Sequence, residues 1–182
     1  MLDLVISGGL PVGGCGASVL RGLGDGSFEL AGNVGPGPTL GTGGAGCDAL
    51  EVADFDGNGS PDIAECFVYM PPDTFSGLNG VVDIFLAAGA GAFDWAGTYP
   101  LSAPEEQPYT AFDMAVADFD GGGALDLGFA AEVRWLSGAA TWRLQTFRGD
   151  GTGQFERGSL QPFTCRDCDL ISVEAADFTG DG

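Results

Sequence analysis

The chain has 182 residues, enough for a sizeable core, and its 45% hydrophobic and 10% aromatic content excludes a disordered segment. Its 33 glycines fall at irregular spacings, which excludes a collagen-like helix and points to short strands joined by tight turns. Six arginines, no lysine and 26 acids give a net charge of −20, a surface that repels nucleic-acid phosphates and anionic membranes.

Met1-Leu2-Asp3-Leu4 lacks the basic start and long apolar run of a signal peptide, and no apolar stretch in the chain approaches the roughly 20 residues of a membrane-spanning helix. Asp3-Leu4-Val5 opens a first apolar segment, and Ala17-Ser18-Val19-Leu20 is a second. The turn Gly24-Asp25-Gly26-Ser27-Phe28 leads into a further short strand. Cys47 then precedes Leu50-Glu51-Val52-Ala53, which runs into the loop Asp54–Asp62, and Asp62-Ile63-Ala64 starts the strand after it. A loop from Pro71 to Gly80 separates this from Val81–Leu86 and the turn Gly89-Ala90-Gly91-Ala92-Phe93. Past a loop from Ser102 to Thr110 the order repeats: Met114–Ala117, the loop Asp118–Asp126, a strand from Asp126, Thr141–Phe147, and a glycine-rich turn ending at Phe155. Val173-Glu174-Ala175-Ala176-Asp177-Phe178 begins it once more.

The lead aspartates stand at 54, 118 and 177, steps of 64 and 59, and the turn phenylalanines at 28, 93 and 155, steps of 65 and 62. The segments alternate or run apolar at strand length, and none carries a helical stripe. Four short antiparallel strands at a fixed period predict an all-β fold: a β-propeller fragment of about three four-stranded blades. The predicted units are residues 1–46, 47–110 and 111–170, with the start of a further unit at 171–182. Three blades are too few to close the usual ring of four to eight, so the sequence reads as part of a larger propeller with open edges that invite association.

The first loop offers oxygen side chains at its positions 1, 3, 5 and 9, Asp54, Asp56, Asn58 and Asp62, and Ser60 at position 7 can add a backbone carbonyl. Such a set suits calcium, which takes six to eight oxygens, and Gly57 and Gly59 permit the sharp bends. The EF-hand pattern also fits, with Glu65 at position 12, but the flanks are strand-like and the second copy has Phe129 there. The second loop brings Asp118, Asp120, Ala124 and Asp126, with Gly122 at position 5 giving no side-chain ligand, so weaker binding is expected. The third brings Asp177 and Asp181, with Thr179 between them and no position 9. At each loop the alternative is an Asx-turn hairpin without metal. A further expectation is closure between chains, Asp177 and Asp181 of one sharing calcium with Asp3 of another in an even-bladed dimer.

The loop Asp54-Phe55-Asp56-Gly57-Asn58-Gly59-Ser60-Pro61-Asp62, the apolar strand after it and the glycine-to-phenylalanine turn together resemble the FG-GAP/VCBS repeat of integrin α-subunit propellers and many secreted bacterial proteins. The resemblance covers nearly the whole chain as about three repeats. It implies a propeller, usually seven-bladed, with calcium in the loop between the first two strands of a blade, and adhesion or recognition more often than catalysis. Gly122, Thr179 and the incomplete third loop depart from the pattern.

The cysteines are Cys15, Cys47, Cys66, Cys165 and Cys168. With no histidine and a single Cys-x-x-Cys, disulfides in an oxidising compartment fit better than zinc. A Cys47–Cys66 bridge across the first loop's hairpin and a small Cys165–Cys168 loop are expected. Arg148-Gly149-Asp150 spells an integrin-binding tripeptide, yet Gly24-Asp25 occupies the same place in the first unit, so the repeat explains it. Without His or Lys, Ser–His and Schiff-base catalysis are absent, and Glu105-Glu106 lies in a proline-flanked loop. The expected function is therefore a non-catalytic, calcium-binding extracellular or cell-surface module that recognises a protein or glycan through loops such as 71–80 and 102–110, with no nucleic acid and no membrane insertion. The alternative is the propeller scaffold of a larger secreted enzyme.

Overall fold

The strands sort themselves by how many faces they bury. The computed structural model describes residues 2–9, 15–35, 44–69, 79–101, 109–134, 140–163 and 172–179. It holds eleven strands: β1 (Leu4–Gly9), β2 (Cys15–Gly22), β3 (Phe28–Val34), β4 (Gly44–Ala53), β5 (Asp62–Tyr69), β6 (Asn79–Gly89), β7 (Ala92–Pro100), β8 (Tyr109–Ala117), β9 (Asp126–Arg134), β10 (Ala140–Gly149) and β11 (Phe155–Phe163). No helix occurs among the described residues. Three antiparallel sheets form, in the orders β1-β2-β3, β4-β5-β6-β7 and β8-β9-β10-β11. This is the expected all-β, propeller-like arrangement, with three strands in the first sheet and four in each of the others.

Central strands are buried on both faces, as the unbroken burial from Asp62 to Val68 in β5 shows. The fourth strands, β7 and β11, bury none of their residues fully. The sheets stack face to face, β4 packing along β8 and β1 along β4. Between the second and third sheets lies the larger core, built on Phe55, Ala64, Cys66, Val82, Ile84, Met114, Leu127, Phe129 and Phe147. Between the first and second lies a smaller one of Ala17, Val19, Val34, Ile63 and Phe85. The larger core is aromatic at its rim. Phe55 meets Phe155 edge-on at 5.6 Å, and Tyr99 meets Phe155 at 5.7 Å, contacts worth about 0.5–1.5 kcal/mol each beyond the area they bury.

Cys47 and Cys66 stand inside strands rather than at their margins. A bulge separates Cys47, opposite Phe67, from Ala49, opposite Cys66, and Cys66 is buried. The side chains of Cys15 and Cys47 lie outside the described residues, as do Cys165, Cys168 and the Glu105-Glu106 pair. Of the two loops expected to carry recognition, residues 71–78 and 102–108 lie outside the described residues. Asn79 and Gly80 begin β6, and Tyr109 and Thr110 begin β8.

Glu65 is buried in the middle of β5, opposite Asp83 on β6, and neither of its carboxylate oxygens has a hydrogen-bond partner. Burial, helped by the charge of Asp83, pushes its pKa from 4.5 up to about 7. The folded state therefore keeps a proton that the unfolded chain releases near pH 4.5. Stability from this group is present below that pH and is lost as pH rises through 7. The interval from 4.5 to about 7 corresponds to at most about 3 kcal/mol. Glu65→Gln should therefore melt less steeply lower at pH 8 than at pH 5, while the parent chain loses more. Equal pH dependence in the two would show that Glu65 does not titrate in this interval.

Candidate metal centre

Each loop between the first two strands of a full sheet is shaped by its own aspartates. In the first, Asp54 accepts from the Asn58 N–H at 3.0 Å and the Gly59 N–H at 2.8 Å. Asp56 accepts from the Asn58 N–H at 3.1 Å and its side-chain amide at 2.9 Å. Asn58 in turn accepts from the Ser60 N–H at 2.7 Å. These bonds wrap the chain around its carboxylates, and Gly57 and Gly59, at φ of 73° and 85°, supply the left-handed backbone that the wrap requires. The second loop copies this: Asp118 accepts from Gly122 at 3.0 Å and Gly123 at 2.8 Å, and Asp120 from Gly122 at 2.8 Å.

The ninth position behaves differently. Asp62 is fully buried, and its two oxygens accept from two distant backbone groups, the N–H of Phe55 at 2.8 Å and that of Ala87 at 2.8 Å. Asp126 does the same with Phe119 and Gly149, both at 2.9 Å. Asp3, the ninth-position residue of the first unit, accepts from Gly22 at 2.9 Å. One carboxylate thus ties the loop to the end of the third strand in both complete repeats. At residue 149 the approach is close: a Cβ there would stand 2.1 Å from the Leu125 carbonyl oxygen, so the second complete repeat has glycine where the first has Ala87.

Oxygens of Asp54, Asp56 and Asp62 all lie within 4.8 Å of one another, and so do those of Asp118, Asp120 and Asp126. Atoms sharing one ion at about 2.3–2.6 Å must lie within about 5 Å of each other, so both sets fit a metal ion. Asn58 and Ser60 lie on the first loop as expected, Asn58 engaged with Asp56. Ala124, half-buried, sits near the Gly151 turn. Asp177 is exposed with the Thr179 hydroxyl donating to it at 3.5 Å, and Asp181 lies outside the described residues.

The two complete loops differ in charge. Arg148 donates to Asp120 at 3.3 Å, placing a cation beside the second loop. The matching residue on β6 is Leu86, so no arginine stands at that place beside the first loop. Arg148 was not among the expected site residues, because the link joins a loop to a strand end 28 positions away. The Arg148-Gly149-Asp150 tripeptide is taken up internally. Asp150 accepts from the Thr152 hydroxyl at 2.7 Å and its N–H at 2.8 Å, and these bonds hold its pKa below the usual carboxylate value. Asp25 is held down in the same way by Ser27.

Residues 1–64 match the family model of the FG-GAP-like repeat. The matched stretch holds the first sheet, β4 and the whole first loop, and it ends two residues past Asp62. The FG-GAP-like repeat thus coincides with the resemblance seen in the sequence, and the second loop reproduces the same geometry beyond it. No curated protein and no solved structure matches the chain.

The ninth-position carboxylates hold the fold whether or not an ion is bound. Asp62→Ala would strand two backbone N–H groups in a buried setting, at about 1–3 kcal/mol each. Thermal melts in the presence of chelator should show roughly 2–6 kcal/mol of lost stability. A variant that melts with the parent under those conditions would remove Asp62 from this role.

Proposed function

We propose that this chain is a calcium-stabilised recognition module of the propeller type, working outside the cell and without catalysis. The observation that carries the reading is the convergence of Asp54, Asp56 and Asp62 in a loop that also seats Phe55 between two sheets. Hard oxygen donors and no sulfur or imidazole favour calcium among common metals. Bound there, calcium supplies charge neutralisation and rigidity. The protein's own part is to hold three carboxylates in register and leave the adjoining loops free to contact a protein or glycan.

The absence of His and Lys from the chain supports a binding role over nucleophilic or Schiff-base chemistry. Five cysteines in so short a chain support an oxidising location, with a Cys47–Cys66 bridge between adjacent strands as part of this proposal.

Calorimetric titration of the chain with calcium should resolve a tighter site, abolished by Asp56→Ala, and a weaker one, abolished by Asp120→Ala. Millimolar calcium should also raise the melting temperature, since a ligand of the folded state alone stabilises it. Magnesium should do so much less. Two sites of equal affinity would contradict the role given to Arg148, and no heat with no shift in melting would overturn the calcium reading altogether.

A further inference from the structure

The two faces of the second sheet meet different neighbours. Ala64 and Cys66 on β5, with Val82 and Ile84 on β6, belong to the core shared with the third sheet. Ile63 and Phe85 belong to the core shared with the first. Side chains alternate along a strand, and β5 pairs with β6 without a shift from Ile63 opposite Phe85 to Glu65 opposite Asp83. Glu65 and Asp83 therefore stand side by side on the face that meets the first sheet, and both are fully buried.

Little on that face answers a charge. Leu50 of β4 is opposite Glu65 on one side, and Asp83 of β6 on the other. The first sheet presents Ala17, Val19 and Val34. Its charged side chains lie elsewhere: Arg21 and Glu29 are exposed and paired with each other, and Asp3, also exposed, accepts from the Gly22 N–H. On β4, Glu51 is opposite Ala64 and so on the other face, under the influence of Asp113, while the Asp48 side chain lies outside the described residues. Asp62, at the start of β5, spends its oxygens on Phe55 and Ala87. Trp95 donates its indole N–H to the Thr98 hydroxyl oxygen at 3.2 Å, and Thr98 gives its own hydrogen to Asp83. Both oxygens of Glu65 go without a hydrogen bond.

The two joints between sheets are also secured differently. Across the second and third sheets, the Tyr99 hydroxyl donates to Gln154 at 3.1 Å and accepts the Phe155 N–H at 3.2 Å, and Arg157 donates to the Leu101 carbonyl at 2.7 Å, all beside the larger core. The first sheet meets the second across the smaller core, and Glu65 and Asp83 share that joint. A neutral carboxylic acid is tolerated in such a place. An ionised one, beside a second acid and with no donor of its own, is held there only at high cost. Separation of the first sheet would let water reach the carboxylate and remove that cost.

We infer that the joint between the first and second sheets is a proton-controlled one, closed while Glu65 carries a proton and loosened when that proton passes to water. The joint between the second and third sheets is indifferent to it, because Glu65 faces away from that core. In the closed joint, burial and then the charge of Asp83 raise the Glu65 pKa to about 7, whereas in the opened joint it returns to its ordinary 4.5. Closure is therefore favoured in full below pH 4.5, and the advantage is lost as pH rises through about 7. That interval makes opening more frequent by up to about two orders of magnitude. Part of a fold opens in this way while the remainder stays intact.

Hydrogen exchange read by mass spectrometry tests this on the 182-residue chain in chelator, where no ion contributes at either acid loop. Once the intrinsic pH dependence of exchange is divided out, protection of β2 should fall at least about tenfold between pH 5 and pH 8, while that of β9 and β10 stays level. Glu65→Gln should remove the fall, and so should Glu65→Met, which needs no hydrogen bond. Asp83→Asn should keep the fall and move its midpoint to lower pH, because one of the two causes that raise Glu65 is then gone. The parent chain alone is enough for a refutation: level protection in β2, or an equal fall in all three sheets, would overturn the inference. So would a parent-like fall in both Glu65 variants.

Discussion

A buried carboxylate with two backbone partners is the constraint from which the rest of this structure follows. Asp62 takes the N–H of Phe55 with one oxygen and that of Ala87 with the other, and Asp126 repeats the arrangement. Burying a carboxylate is costly unless its oxygens are hydrogen-bonded, and here both are. The result is that the loop cannot move independently of the third strand. The residue after the loop's first aspartate is held by its own N–H, and so its side chain is aimed. In the first loop that residue is Phe55, delivered into the space between the second and third sheets.

That delivery separates a well-filled interface from a poorer one. Between the second and third sheets, Phe55, Tyr99, Phe129, Phe147 and Phe155 interlock edge to face. Gly153, packed against Leu86, takes a left-handed backbone at φ 81° that favours glycine. Between the first and second sheets no loop phenylalanine arrives among the described residues. The core is correspondingly smaller, an apolar cavity stands beside it, and the acid pair Glu65 and Asp83 is buried on adjacent strands. The Thr98 hydroxyl donates to Asp83, leaving Glu65 as the member without a partner.

Much of this was legible in the sequence because the loops and turns are local devices. Asp54, Asp56 and Asn58 bond to N–H groups two to five residues away, and Asp25 and Asp150 bond two residues on. Chemistry of that range leaves a repeating pattern that periodicity exposes. The ninth-position aspartates were legible as members of the acid cluster, though their second partners were not, since Ala87 lies 25 positions from Asp62 and only the hairpin's return brings it close. Cys47 was expected just before one strand and Cys66 at the end of the next. Both stand within strands because β4 runs ten residues and takes up the misfit in two bulges. Glu65 was separated from the loop's ligands by its strand-like flanks, and its burial against Asp83 depends on the sheet's pairing and left no local mark.

Electrostatics then divides the labour between the two complete loops. Carboxylate oxygens about 4 Å apart repel by about 1 kcal/mol per pair in water and about 4 kcal/mol in a protein-like surface dielectric. In the second loop, the Arg148 guanidinium offsets part of that repulsion at Asp120. In the first, Leu86 stands where the arginine would be, and no ion pair to its aspartates forms among the described residues. The proposed calcium would therefore matter most at the loop that carries Phe55, the residue that locks two sheets together. An ion there would do more than satisfy three acids. By stiffening the backbone on either side of Phe55, it would tie metal occupancy to the packing of neighbouring blades, so that a site on the rim governs the rigidity of the core beneath it.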